Sequence, residues 1–130
     1  MTLINGLTGA VEGRQSQSTT ENGVDYNASL NSVIARNPAY SLVSIHNHGT
    51  NNPPTGSDLA ANGARKYMLG VVVTHNGRVF TYKAGSKPFL AKSFDARVDK
   101  LRGKGYNEVD AILEALNQYK AEYGIEWSER

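Results

Sequence analysis

A hairpin signal in the middle of the chain places the strongest constraint on its fold. Asn76-Gly77 separates two β-rich runs, residues 68–74 and 78–83. Asn-Gly favours the positive backbone angles of a tight turn, so the two runs are predicted to pair as antiparallel strands. The chain therefore contains a sheet, and its other segments must extend or cover that sheet.

The remaining segments predict a mixture of strands and helices. Residues 40–48 alternate as in a strand, one face of which carries Leu42, Ser44, His46 and His48. Short apolar pieces at residues 3–4 and 9–11 are candidate strands. Apolar residues spaced three and four apart predict helices over residues 28–36, 90–103 and 107–124. A further helix is expected over residues 58–66. This order predicts an α/β fold with a mixed sheet, flanking helices and C-terminal helices.

Composition narrows the classes of function. The chain has 130 residues, of which 39% are hydrophobic, which suits one ordinary domain with a packed core. Its 14 Lys and Arg residues against 12 Asp and Glu residues argue against a nucleic acid or an anionic membrane as partner. The absence of cysteine excludes disulfides, thiolate nucleophiles and cysteine metal sites. No apolar run approaches about 18 residues, so we expect a cytoplasmic protein without a membrane span.

The main candidates for functional residues are two histidines. His46 and His48 lie on one face of the predicted strand, about 6–7 Å apart along the chain. Imidazoles placed in this way can share a zinc ion, and a third ligand must be an oxygen donor because cysteine is absent. The closest acid downstream is Asp58, at the start of the next predicted helix. Two simpler interpretations stay open: the histidines form a polar edge, and Thr55 with Asp58 forms only a capping box.

The sequence around these residues resembles a known family. Residues 44–59 read SIHNHGTNNPPTGSDL. This segment looks like the metal-binding core of the JAB/MPN (JAMM) metalloprotease superfamily, especially its RadC-like and phage- or toxin-associated members. The resemblance implies a cytidine-deaminase-like α/β sandwich and makes His46, His48 and Asp58 zinc ligands. It places an oxyanion-stabilising hydroxyl at Thr55, with Ser57 as the alternative.

The segment departs from the family pattern in two ways. The spacing from His48 to Thr55 is one residue shorter than usual, and Gly49 replaces a common proline. The general base of the family is a glutamate on an earlier strand, for which Glu12 is the preferred candidate and Glu21 the alternative. The resemblance is specific over about 16 residues and plausible over about 85. We therefore expect a metal-binding core over residues 1–89 and a C-terminal helical extension over residues 90–130, packed on the core.

The resemblance implies a zinc-dependent hydrolase that cleaves an amide or isopeptide bond in a protein or peptide substrate. The alternative is a catalytically inactive MPN-like module of a phage head or morphogenesis protein, with phage structural proteins as partners and a location in the virion. Residues 123–127 resemble the ends of such phage proteins. A RadC-like role linked to DNA is disfavoured by the balanced charge.

Overall fold

The sheet and the helices follow one another much as the sequence predicts. The computed structural model describes residues 1–14 and 28–130, which form an α/β fold with six strands and four helices. In chain order these elements are β1 (Thr2–Asn5), β2 (Val11–Arg14), α1 (Ala28–Arg36), β3 (Leu42–Asn47), α2 (Gly56–Ala64), β4 (Leu69–Val73), β5 (Val79–Lys83), α3 (Ala91–Gly103), α4 (Glu108–Tyr123) and β6 (Glu126–Glu129).

The strands form a mixed sheet in the order β2-β1-β3-β4-β5-β6. The central pair, β3 and β4, is parallel, and α2 provides the crossover between them. The other described pairs are antiparallel, including the predicted β4–β5 hairpin, whose turn holds Gly77 at a φ of 86°. A parallel pair needs such a crossover, so the end of β3 and the start of α2 lie at the same edge of the sheet.

The buried face of the sheet packs against the helices in two clusters. The first joins Leu59 of α2 and Val72 of β4 to residues of α3 and α4. The second joins Leu30 and Val33 of α1 to Leu3 of β1. His46 pairs in register with Val72, so its ring points to this same buried face.

Two predicted elements have other bounds than expected: β3 is shorter, and α2 spans Gly56–Ala64 instead of residues 58–66. Left-handed backbone angles explain where β3 begins and where α2 ends. Tyr40 has a φ of 61°, and β3 begins two residues later, at Leu42. Lys66 has a φ of 52°, and α2 ends at Ala64. Neither angle fits a strand or a right-handed helix, so each residue breaks the element that the sequence predicted.

The C-terminal segment is helical as predicted, and it also adds a strand. Asn107 caps α4 through the Asp110 backbone N–H, and Gly124, at a φ of 69°, ends it. Residues 126–129 then form β6 against β5, which the sequence did not predict because this run of four residues has no apolar alternation. The first cluster contains side chains from both sides of residue 89, and a boundary there stays a prediction. None of the helices in residues 28–130 has the length and apolar character needed to span a membrane.

Candidate metal centre

The end of β3 and the start of α2 bring three potential ligands together. His46 and His48 project from the buried face at the carboxyl end of β3, and Asp58 is the third residue of α2. The exposed fractions of these residues are 5%, 2% and 5% respectively. Burial of three ionisable groups is costly unless they are paired or bind a cation.

The ligand atoms of these side chains lie within hydrogen-bonding distance of one another. His46 Nε2 lies 3.0 Å from Asp58 Oδ1, and His48 Nε2 lies 3.0 Å from Asp58 Oδ2. The two Nε2 atoms are 3.3 Å apart. With zinc–ligand bonds of 2.0–2.1 Å, tetrahedral ligands are separated by about 3.3 Å, so these distances suit one small metal ion.

The hydrogen bond at the far side of His48 explains why a cation fits. His48 Nδ1 lies 2.7 Å from the carbonyl oxygen of Asn52. The carbonyl can only accept, so Nδ1 carries the proton and, in the neutral ring, Nε2 is an acceptor. That acceptor faces a carboxylate oxygen of Asp58, and two facing acceptors need either a proton between them or a metal ion. The three buried residues could therefore hold a metal.

The ionisation of the cluster follows from the same contacts. Burial raises the pKa of Asp58, but hydrogen bonds and charges from His46 and His48 outweigh it and lower that pKa to about 2. Burial lowers the pKa of His48, but its contacts with Asp58 and Asn52 outweigh this and leave the pKa raised. Without metal, the pair therefore favours a carboxylate facing an imidazolium.

Asp58 also caps the helix on which it lies. Its Oδ2 accepts hydrogen bonds from the Thr55 backbone N–H at 2.9 Å and from Thr55 Oγ1 at 3.2 Å. The predicted capping box of Thr55 and Asp58 is therefore present, but it is not the sole contact of Asp58, because the same carboxylate also faces the histidines. Ser57, the alternative hydroxyl, is exposed on the first turn of α2.

The predicted general base lies outside this cluster. Glu12 is on β2, and β1 separates that strand from β3, a distance of roughly 9–10 Å across the sheet. The register of β1 with β2 shifts beside Glu12, which has no paired residue on β1. Its role as general base stays a prediction. The alternative, Glu21, lies outside the described residues.

Three residues near the ligands were not predicted from the sequence. Asn52 supports His48, and its Nδ2 donates to Glu108 Oε1 at 3.1 Å. Asp95 of α3 lies beside Gly56 at the start of α2; burial and, secondarily, the charge of Asp99 raise its pKa. Asn52 lies in the loop that the motif spans, but Glu108 is 56 residues further on, and no local pattern points to it.

Similarity to characterised proteins gives no further guide to this site. Comparisons of the chain with models of known families, with curated proteins and with solved structures found no match.

Proposed function

We propose that this protein is a zinc-dependent hydrolase of amide or isopeptide bonds, of the JAB/MPN class. The observation that carries the proposal is the buried set of acceptor atoms on His46, His48 and Asp58. Three protein ligands leave one tetrahedral position for a ligand from solution, which is typical of catalytic rather than structural zinc sites.

The resemblance of residues 44–59 to the JAMM motif supports this choice of reaction. The motif needs two histidines at a strand and an aspartate at the start of the following helix. His46 and His48 lie at the carboxyl end of β3, and Asp58 lies in the first turn of α2. The mixed sheet with flanking helices is compatible with the cytidine-deaminase-like sandwich. The ligand chemistry, two imidazoles and one carboxylate, suits zinc.

In this mechanism the chain's own residues hold and orient the reacting groups. His46, His48 and Asp58 would hold the ion, which, when bound, would supply an activated water and a Lewis acid for the scissile carbonyl. The Thr55 hydroxyl, which donates to Asp58 in this structure, would turn to the developing oxyanion. We assign proton transfer to Glu12 from the resemblance alone.

The alternative function is an MPN-like module that assembles with phage structural proteins and catalyses nothing. One observation favours it: Glu12 lies two strands from His46, outside the ligand cluster. A module of this kind needs no metal, although the same three residues could hold one. Metal binding and hydrolysis must therefore be tested separately.

Metal content is the first test. We expect about one zinc per chain in the tag-free protein, removed by a chelator and restored by added zinc. His46→Ala and Asp58→Asn should each lose the metal, whereas His75→Ala, which removes the exposed histidine of the β4–β5 turn, should keep it. Elemental mass spectrometry measures each stoichiometry. A zinc-supplied wild type without metal, or an Asp58→Asn variant with full stoichiometry, would contradict the proposed site.

Hydrolysis is the second test. The zinc-loaded protein should cleave members of a library of peptide and isopeptide substrates, monitored by mass spectrometry. Glu12→Gln should keep its zinc and lose about 100-fold or more of the rate, because it removes the proposed proton carrier. Glu126→Gln, an exposed glutamate on β6, is the matched control. Unchanged turnover in Glu12→Gln removes Glu12 from the mechanism, and a zinc-loaded protein that cleaves nothing favours the structural module.

A further inference from the structure

A second layer of contacts connects the ligand cluster to the start of α4. Glu108 is the first residue of that helix, and its Oε1 accepts a hydrogen bond from Asn52 Nδ2 at 3.1 Å. The carbonyl of Asn52 in turn accepts from His48 Nδ1 at 2.7 Å. Asn52 is 5% exposed and its bond with His48 is buried, whereas Glu108 is exposed and its bond with Asn52 is only partly buried.

The support of the two histidine rings is unequal. His46 Nδ1 is buried, and it has no hydrogen-bond partner within the described ranges. His48, in contrast, is held at both of its ring nitrogens. The orientation of His48 therefore depends on Asn52, which lies in the irregular loop between β3 and α2.

Glu108 is well placed to fix that loop. The helix that begins with Glu108 is anchored by buried Ala111 and Ile112 in its second turn, and its first turn is closed by the Asn107 cap. A carboxylate is a stronger hydrogen-bond acceptor than a neutral group, which suits it to hold an amide donor.

We propose that Glu108 is a positioning residue of the metal centre. It holds the side chain of Asn52, so that the Asn52 carbonyl keeps His48 in the tautomer and orientation that present Nε2 to the metal. The inference rests on the proposed zinc site and deepens it. Partners of this kind, behind the ligands, commonly change metal affinity by about 10–100-fold.

The test is a set of zinc dissociation constants, measured by competition with a chromophoric chelator. We expect Glu108→Ala to bind zinc about 10-fold or more weakly. Glu108→Gln keeps an acceptor oxygen and should recover most of the affinity. Asn52→Ala should reduce the zinc affinity as much as Glu108→Ala does. The double variant should bind no more weakly than either single variant, because both substitutions remove the same hydrogen bond. Asp110→Asn removes a charge from the same turn of α4 and should bind like the wild type.

The outcomes separate the inference from the function on which it rests. Wild-type protein without zinc overturns both. Wild-type protein that binds zinc, with Glu108→Ala binding equally well, overturns the positioning role alone. Equal losses in Glu108→Ala and Asp110→Asn would show a general effect of charge and also overturn it. Thermal unfolding in chelator identifies any variant with a damaged fold, and Glu108→Gln then decides: affinity near that of the wild type supports the role, and a matching loss overturns it.

Discussion

At the scale of single residues, the hydrogen bonds of His48 determine which of its ring nitrogens carries a proton and which can bind a metal. Its Nδ1 must donate to the Asn52 carbonyl, and its Nε2 faces Asp58 Oδ2 at 3.0 Å. A neutral ring cannot satisfy both contacts as a donor, so a proton or a metal ion must lie on the Asp58 side. A proton and a bound metal ion would therefore compete for one position, and we expect the stability of the protein to depend on both pH and metal.

We predict opposite pH trends for the metal-free and the zinc-loaded protein. The folded-state pKa of His48 is raised above its ordinary value of 6.5. Its stabilising contribution is therefore complete below about pH 6.5 and is lost as the pH rises through the raised value. Zinc needs the deprotonated ring, so stabilisation by zinc should grow over the same range.

The measurement is thermal unfolding between about pH 6 and pH 9, in chelator and in excess zinc. His48→Gln is the control, because glutamine can still donate to Asn52 but does not titrate. The difference in Tm between metal-free wild type and His48→Gln should shrink as the pH rises. A constant or growing difference would contradict the raised pKa, and zinc stabilisation that falls with pH would contradict ligation by His48.

At the scale of elements, local sequence patterns predicted the positions of the three potential metal ligands. Alternation placed His46 and His48 on one face, and the capping pattern placed Asp58 at a helix start. The support from Glu108 was not predictable, because its contact with Asn52 depends on where α4 packs. The strand β6 was missed for a similar reason, since its pairing with β5, and not its own sequence, makes it a strand.

Gly56 gives a prediction at this scale, because it allows α2 to begin close against α3. A Cβ there would lie 2.9 Å from the Ala91 carbonyl oxygen and 2.9 Å from Phe94 Cβ. Gly56→Ala should therefore displace the start of α2, lower the free energy of unfolding by about 1–3 kcal/mol and weaken zinc binding through Asp58. Gly103→Ala is the control, because within residues 1–14 and 28–130 no atom beyond its own helix backbone and chain neighbours lies within 4 Å of its added Cβ.

Denaturant unfolding and chelator competition measure the two effects of Gly56→Ala. If Gly56→Ala and Gly103→Ala change both quantities alike, the close approach of α2 and α3 does not determine the position of Asp58. A loss of stability with unchanged zinc affinity would show that the helix start adjusts without moving its carboxylate.

At the scale of the whole molecule, the C-terminal segment contacts the site at the start of α4 and adds an edge strand to the sheet at its end. The start of α4 contacts Asn52 through Glu108, and β6 extends the sheet beside β5. Between these points, Leu116 and Tyr119 of α4 lie in the same buried cluster as Leu59 of α2. From these contacts we predict that the protein unfolds as one cooperative unit. A destabilising substitution near residue 125 should therefore also destabilise β3.

Ile125 tests this cooperativity, because it lies between α4 and β6 with 1% of its surface exposed. Ile125→Ala should lower the free energy of unfolding by about 2–5 kcal/mol, whereas Leu90→Ala, at a side chain 74% exposed, should change it by about 0.5 kcal/mol or less. Amide hydrogen exchange should show the slowest amides of β3 and α4 losing equal protection in Ile125→Ala, since both exchange through global unfolding. Loss confined to α3, α4 and β6 would instead mean that the segment before residue 90 unfolds separately, and that the metal centre keeps its stability without the C-terminal helices.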